Sequence, residues 1–430
     1  MSAAVLTAPL LTEVQRSAIG KAAWRFVPLL TVAYLFNYLD RVCLGFAALT
    51  MNREIGLNSE QFGFGAGLFF LAYSTCEMPS NMAMYRVGAR KWIARIMVTW
   101  GIASAATALV TGPYSFYAAR FVLGVAEAGF FPGITFFLAA WFPSQVRARM
   151  LAWFLVGIPL ASVLGGPVCG WLLTMNGAWG LAGWKWLFLG VSLPCIPLGV
   201  ACLLLLADRP QEARFLTQGE RDAMDGMLAA EVRERARHSV WEAVRDPRVL
   251  ILAGVQFGFT LGSYGIAIWL PQIMKAYQLA DLAIGLLSAV PYLIASVAML
   301  GWAWAVDRTG RKISNLVLTC ALAAGGLVIS VVPGSFLVAM GGLTLGIVGV
   351  TAARAIFWTI PTRFLTGAAA AGGLAFINMV GTTGGFAGPY LMGWLKQETG
   401  SFQSGLLAMA AIMVVATGMA ASLRLVMDRE

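Results

Sequence analysis

Long apolar runs separated by short polar connections dominate the pattern of residues along the chain. Twelve stretches have the length and composition of membrane-crossing helices, each about 20 residues long. They lie at 26–49, 62–84, 92–111, 114–140, 151–174, 186–207, 249–274, 283–306, 314–333, 336–359, 367–394 and 402–423. Charged residues make up only 12% of the chain and hydrophobic residues 59%, whereas soluble domains are roughly 25% charged. The pattern predicts an all-α membrane protein with twelve transmembrane helices.

One long polar connection, residues 208–248, divides the spans into six and six. Similar basic turns follow the second and the eighth span, "YRVGARKW" from Tyr85 and "VDRTGRKI" from Val306. Their matching positions indicate an internal duplication, although any short cytoplasmic loop can be basic. We therefore predict an N-terminal six-helix bundle at 1–207, a cytoplasmic charged linker at 208–248 and a C-terminal six-helix bundle at 249–430.

The distribution of basic residues predicts the orientation in the membrane. With alternating spans, 23 of the 30 Lys and Arg residues fall on one side and only four on the other. Because cytoplasmic loops are enriched in Lys and Arg, both termini and the linker are predicted to be cytoplasmic. The first residues lack the basic start of a signal peptide and are interpreted as a retained tail. The single histidine, His238, falls in the linker.

A few ionisable residues lie inside the predicted spans, where each costs roughly 2.5 to 3.5 kcal/mol on insertion scales. The candidates for a functional role are Asp40, Arg41, Glu77, Arg120, Glu127 and Arg354. On the first helix, Tyr34, Asn37, Tyr38 and Arg41 follow helical spacing and form a polar stripe, with Asp40 beside it. Static ion pairs that lock helices together are one interpretation. We favour a transport path through a central cavity, because intramembrane charges commonly mark such paths.

The chemistry of these groups suggests distinct roles. Arginine keeps its charge and matches the geometry of a carboxylate, so Arg41 and Arg120 are predicted to bind an anionic substrate. A buried carboxylate can exchange a proton near physiological pH, so Asp40 and Glu127 are predicted to carry protons. Competition between acid and substrate for an arginine would couple the two ligands reciprocally.

Other residues could complete the binding pocket. Tyr38, Tyr264, Trp358 and Asn378 are the candidates, with ordinary helix packing as the alternative for each. Arg354 could bind a second carboxylate, extend toward an interface or pair with Glu77. Glu77 itself lies near a helix end, where a hydrogen bond or a gate is the favoured interpretation.

Several classes of function are disfavoured by the sequence. The six cysteines lack the spacing of a metal site or disulfide framework, so no metal is expected. No nucleotide-binding or hydrolase motif is present, and no cofactor or enzymatic activity is predicted. The basic residues alternate between loops and do not form a nucleic-acid-binding face.

Several segments resemble the anion:cation symporter branch of the major facilitator superfamily. They are "NYLDR" at 37–41, "PSN" at 79–81, "RVGARKWIARI" at 86–96, "ARFVLGVAEAGFFPG" at 119–133, "YGIAIWLPQIMK" at 264–275, "FWTIPT" and "INMVGTTGGFAGPYLMG". The resemblance implies the major facilitator fold, with the helix-one pair at Asp40 and Arg41, the helix-four pair at Arg120 and Glu127, and Asn378 in the pocket. It also implies gating loops at Arg86, Gly88 and Arg90 and at Asp307, Arg308, Gly310 and Arg311. Tyr85 departs from the acidic loop motif, and Arg354 lies outside the pattern and favours a dianion.

Members of that branch are similar in pairing protons with organic anions such as sugar acids, tartrate, phthalate or hydroxyphenylacetate. We therefore expect proton-coupled uptake of a small organic carboxylate, by a monomer in a bacterial inner membrane. Export or antiport of organic anions or drugs is the nearest alternative. A non-transporting membrane sensor and an intramembrane enzyme are the others.

Overall fold

A computed structural model describes residues 11–232, 245–332, 335–365 and 367–427 of the chain. All regular structure in these ranges is helical. The α-helices are α1 Glu13–Glu54, α2 Ser59–Val87, α3 Ala89–Ala106, α4 Pro113–Glu127, α5 Phe130–Trp141, α6 Ser144–Leu155, α7 Gly157–Leu173, α8 Gly183–Ser192, α9 Cys195–Leu205, α10 Gln218–Val232, α11 Pro247–Lys275, α12 Asp281–Thr309, α13 Lys312–Ser330, α14 Phe336–Phe357, α15 Gly367–Thr399 and α16 Phe402–Val426. Short 3₁₀ turns lie at Thr107–Leu109, Ala178–Gly180, Pro210–Glu212 and Pro361–Arg363. The start of the predicted tail and the part of the linker that contains His238 lie outside the described residues.

The helices reproduce the predicted spans in order. Within the described ranges, ten helical segments are long and apolar enough to cross a membrane. Three of them consist of two helices, α4 with α5, α6 with α7, and α8 with α9. Gly129 breaks the first of these pairs with a φ of 86°, a left-handed conformation that favours glycine. The predicted all-α membrane fold is confirmed.

The remaining two spans are α2 and α15, which are 29 and 33 residues long. They pack on each other, α2 from residues 11–207, the first half, and α15 from residues 249–427, the second half. A Cβ added at Gly67 would lie only 2.7 Å from the Phe386 carbonyl oxygen. Glycine at this position therefore allows the backbones of α2 and α15 to approach closely.

The two halves also meet through α7 with α12 and through α1 with α11. A Cβ added at Gly285 would lie 2.6 Å from the Gly166 carbonyl oxygen, and one at Gly45 would lie 2.6 Å from that of Ile268. Helix α1 begins at one face of the protein, which we call the terminal face, and ends at the other, which we call the opposite face. These close approaches lie toward the opposite face. The halves are thus closed against each other on the opposite face.

Helix α10 of the charged connection is fastened to the start of α1. Lys21 and Ser17 both donate hydrogen bonds to Glu220 Oε1, each at 2.7 Å. The hydrogen bond from Lys21, the Thr217 backbone amide and the Ser17 hydroxyl lower the pKa of Glu220 to about 2. The connection is therefore held against the first half at the terminal face.

Candidate functional site

Arg41 lies where the two halves meet, and it contacts both. Its Nε donates to Glu127 Oε1 on α4 at 3.1 Å, and its Nη2 forms an ion pair with the same oxygen. Its Nη1 donates to the hydroxyl oxygen of Tyr264 on α11 at 2.8 Å. The Arg41 side chain is 15% exposed and that of Glu127 is 0% exposed. Arg41 is thus partly exposed, with its acid buried behind it, and we call the exposed surface at Arg41 and Tyr264 the opening.

Aromatic rings surround the Arg41 guanidinium. Its carbon lies 5.3 Å from the ring centres of Tyr38 and Phe69, 5.4 Å from that of Tyr73 and 5.9 Å from that of Phe70. Ring faces attract cations, more strongly when water is excluded. The rings therefore favour the charged guanidinium without occupying its N–H donors, which bind Glu127 and Tyr264.

A second cation, Arg354, approaches the same place from α14. Its Nη2 donates to the Ser263 hydroxyl at 3.1 Å, one residue before Tyr264. Both Arg41 and Arg354 act electrostatically on the hydroxyl groups of Tyr38 and Tyr264. Arg354 therefore lies near Tyr264, and its predicted binding of a second carboxylate stays a prediction. Two fixed positive charges flank a pair of tyrosines.

Asp40 faces away from this opening, which corrects the expectation that it competes directly with its neighbour Arg41. Adjacent residues point about 100° apart around a helix. Asp40 is 2% exposed, and the Ser104 hydroxyl of α3 donates to its Oδ1. Ser192 of α8 donates in turn to Ser104 at 2.6 Å. The acid that pairs with Arg41 is Glu127.

Arg120 is likewise buried in the first half and does not face the opening, contrary to the expected placement. It is 2% exposed, and its guanidinium carbon lies 4.9 Å from the Phe69 ring centre. Asp40 and Glu127 both act electrostatically on it. Since these two acids are buried as well, Arg120 balances their charge inside the bundle. Its predicted role in direct substrate binding stays a prediction.

A chain of polar side chains crosses between the halves closer to the terminal face. Gln256 of α11 donates to Asn378 Oδ1 at 3.4 Å, and Asn378 of α15 donates to Glu77 Oε1 of α2 at 3.4 Å. This agrees with the hydrogen-bonding or gating interpretation of Glu77. Trp358 ends α14 half-buried and packs edge-to-face on Phe357, with ring centres 5.3 Å apart.

The predicted gating loop of the first half is closed by an acid that the motif did not indicate. Gly88 has a φ of 98° and ends α2, and the backbone amide of Arg90 donates to Asp208 Oδ1 at 2.8 Å. Asp208 thus supplies a carboxylate to the loop in which Tyr85 replaces the acid of the motif. Arg86 is exposed beside it.

The loop of the second half turns at Gly310, whose φ is 69°. Asp307 and Arg308 are exposed on the last turn of α12, and the Arg308 guanidinium lies 4.1 Å from the ring centre of Trp304. The carbonyl oxygen of Arg311 accepts a hydrogen bond from Asn315 at 2.6 Å.

Comparisons with known proteins agree with this geometry. Residues 30–389 match the profile of the Major Facilitator Superfamily. A protein of Agrobacterium vitis named "Putative tartrate transporter" is 45% identical over 405 residues, which covers 94% of this chain and 90% of that protein. A "Quinolone resistance transporter" of Acinetobacter baumannii is 37% identical, with 94% of each chain covered.

Solved structures show the same fold at low sequence identity. A bacterial homologue of the human lysosomal transporter Spinster, in an inward-facing conformation, has a TM-score of 0.77 at 15% identity and covers 95% of this chain and 97% of its own. The xylose transporter XylE from E. coli, in an inward-open conformation, has a TM-score of 0.73 at 12% identity and covers 94% and 96%. The chain belongs to the Major Facilitator Superfamily and is a multi-pass membrane transporter, not an enzyme.

Proposed function

We propose that the protein imports a small organic carboxylate together with protons by alternating access. The observation that supports this most is the position of Arg41, held by a fully buried Glu127 and yet partly exposed beside Tyr264. A buried acid and an incoming anion can then compete for one guanidinium. Alternating access, with the site between the two six-helix halves, is the expected mode for this architecture.

The proposed coupling has two linked steps. A proton that binds Glu127 removes the negative charge facing Arg41 and frees the guanidinium for a substrate carboxylate, which it can bind in a bidentate manner. After the substrate leaves on the other side, Arg41 again favours the charged form of Glu127, and the proton is released. Each ligand therefore favours binding of the other, as linkage requires.

The substrate class follows from the second cation. Arg354 and Arg41 flank Tyr38 and Tyr264, so an anion with a carboxylate at each end could bind both arginines. We propose a short dicarboxylate, such as a hydroxy diacid, and the tartrate named for the Agrobacterium vitis relative supports this choice. Tyr264, Tyr38 and Asn378 would bind its hydroxyl groups. Because 100 mV is worth about 2.3 kcal/mol per net charge moved, two protons per dianion make import electroneutral, so that the pH gradient alone drives it.

The proposed orientation places the terminal face, both termini and the charged connection in the cytoplasm of a bacterial inner membrane, with the protein as a monomer. The loops at Gly88 and Gly310 would then gate the cytoplasmic side. Closure of the halves on the opposite face corresponds to an inward-facing state in that orientation.

Export of a drug or organic anion is the second candidate function. The Acinetobacter baumannii relative at 37% identity, named for quinolone resistance, favours it. Export would use the same alternating motion with outward release of substrate, driven by proton entry.

Uptake by proteoliposomes with an imposed pH gradient distinguishes the two. Labelled tartrate, a monocarboxylate and a quinolone are added outside, with the outside acidic, with the inside acidic, or at equal pH. Import predicts accumulation of the dicarboxylate that an acidic outside increases and that Arg41→Ala abolishes. Quinolone movement driven by the gradient, without dicarboxylate uptake, would support export instead.

A further inference from the structure

Eight buried polar atoms of the first half have no hydrogen-bond partner among the described residues, and four of these atoms belong to residues away from the ends of their membrane spans. Three of the four are donors, Asn37 Nδ2 on α1, Trp100 Nε1 on α3 and Arg120 Nε on α4, and one is an acceptor, Glu127 Oε2. Each such atom, left unpaired, costs about 1–3 kcal/mol. The four are therefore unusual, since buried polar groups nearly always find a partner.

These atoms lie at a similar depth in the bundle. Helices α1 and α3 run in the same direction, and the contact of Ser104 with Asp40 sets their relative height. Asn37 and Trp100 each precede one of these residues by about one helical turn, roughly 5 Å toward the terminal face.

Ring contacts agree with this placement. The Phe130 ring centre lies 5.6 Å from that of Trp100 and 6.4 Å from that of Tyr34, one turn before Asn37. Phe130 also follows Glu127 by only three residues. Asp40 and Glu127 both act electrostatically on Arg120, and Glu127 acts on Asp40. The unpaired donors and the unpaired acceptor therefore lie on neighbouring helices α1, α3 and α4.

We propose that Asn37, Trp100, Arg120 and Glu127 enclose a buried hydration site, whose water connects Glu127 to Asp40. Water fits because it accepts and donates hydrogen bonds, and buried waters usually make about three of them. This inference rests on the proposed function only for its role in proton movement.

The site provides a proton path that avoids the substrate opening. Protonated Glu127 gives its proton to the water oxygen, and the water passes one of its own protons to the carboxylate of Asp40. Glu127 becomes a carboxylate, Asp40 becomes neutral and the water is regenerated. Ser104 and Ser192 hold Asp40 at the end of this path. The other charged or titratable groups acting on the two acids are Arg41 and Cys43 on α1, Tyr73 on α2, Arg120 on α4 and Cys195 on α9.

Radiolytic hydroxyl-radical labelling of the purified protein tests the water directly. Radicals formed from a bound water oxidise the adjacent side chain even where bulk solvent has no access. Trp141 is the matched control, because it is equally buried but its Nε1 donates to the Ala207 carbonyl oxygen at 2.8 Å. We expect labelling of Trp100 at least fivefold above that of Trp141. Equal, background labelling of both would overturn the hydration site, whatever the protein transports.

Trp100→Phe tests the path, with Trp141→Phe as the control for loss of a buried indole. We expect Trp100→Phe to lower proton-driven uptake at least tenfold while counterflow, which needs no net proton movement, falls less than twofold. Equal effects on both processes, or none, would overturn the path. Thermal unfolding shows whether each variant is folded. If a variant does not fold, radical labelling of the unmodified protein still decides whether the hydration site exists.

Discussion

Replacing Glu127 by glutamine should tighten substrate binding while removing its dependence on protons. Two hydrogen bonds run from Arg41 to Glu127 Oε1. Bonds to a charged acceptor contribute about 1.5–3 kcal/mol, and neutral ones about 0.5–1.5. For two bonds, the loss of charge weakens the hold on Arg41 by about 2 kcal/mol. A substrate carboxylate that must displace Glu127 should then bind roughly thirtyfold more tightly.

Isothermal titration with the transported dicarboxylate at pH 7, followed by uptake and counterflow in proteoliposomes, measures both consequences. Counterflow should persist in Glu127→Gln, and stimulation by an acidic outside should disappear. Glu77→Gln is the matched control, because Arg41 also acts electrostatically on Glu77 but the hydrogen bond to Glu77 comes from Asn378. The affinity of this control variant for the dicarboxylate should change less than threefold. Unchanged affinity together with intact acid stimulation in Glu127→Gln would refute the competition between proton and substrate.

Three other changes follow from the structure. Arg354→Ala should weaken dicarboxylate binding at least tenfold and spare monocarboxylates in competition assays; equal loss for both classes would contradict a second carboxylate site. Gly285→Val should hold the halves apart at the opposite face, because even a Cβ there lies 2.6 Å from the Gly166 carbonyl oxygen; spin labels on α7 and α12 should move apart, and unchanged distances would disprove it. Glu220→Gln should release α10 and speed its proteolysis. Because the pKa of Glu220 is lowered to about 2, from an ordinary value near 4.3, its contribution is complete above the ordinary value and disappears as the pH falls toward 2; equal cleavage of variant and parent at pH 7 would count against this contact.

The fold was accessible from the sequence because bilayer thickness constrains each span to a long apolar run. The runs at 62–84 and 367–394 predicted α2 and α15 despite their glycines. The interruption of the fourth span was not predictable in the same way. Gly129 lies in an apolar run, and its left-handed conformation depends on local packing against α2.

The sequence predicted which residues belong to the site but not how their side chains are arranged. Helical spacing placed Tyr38 and Arg41 on one stripe, and both lie at the opening. It could not decide which way Asp40 and Arg120 turn, because that depends on which helices pack beside α1 and α4. The sequence did not indicate that Ser104 and Ser192 bind Asp40, because serine is common in membrane helices, where it hydrogen-bonds to neighbouring helices.

Asp208 illustrates a different limit. It lies far from the loop of Arg90 in sequence, and only the packing of α9 beside α3 brings them together. A loop motif that lacks its own acid can therefore still be closed by a carboxylate from elsewhere in the chain.

Proton entry driven by substrate alone tests the coupling through Arg41 and Glu127 most directly. Proteoliposomes containing a pH-sensitive dye are given the dicarboxylate outside, with no gradient imposed. Coupling through Arg41 and Glu127 predicts internal acidification with the unmodified protein and none with Glu127→Gln, although the variant still performs counterflow. Substrate entry without acidification in the unmodified protein, or equal acidification in the variant, would contradict it.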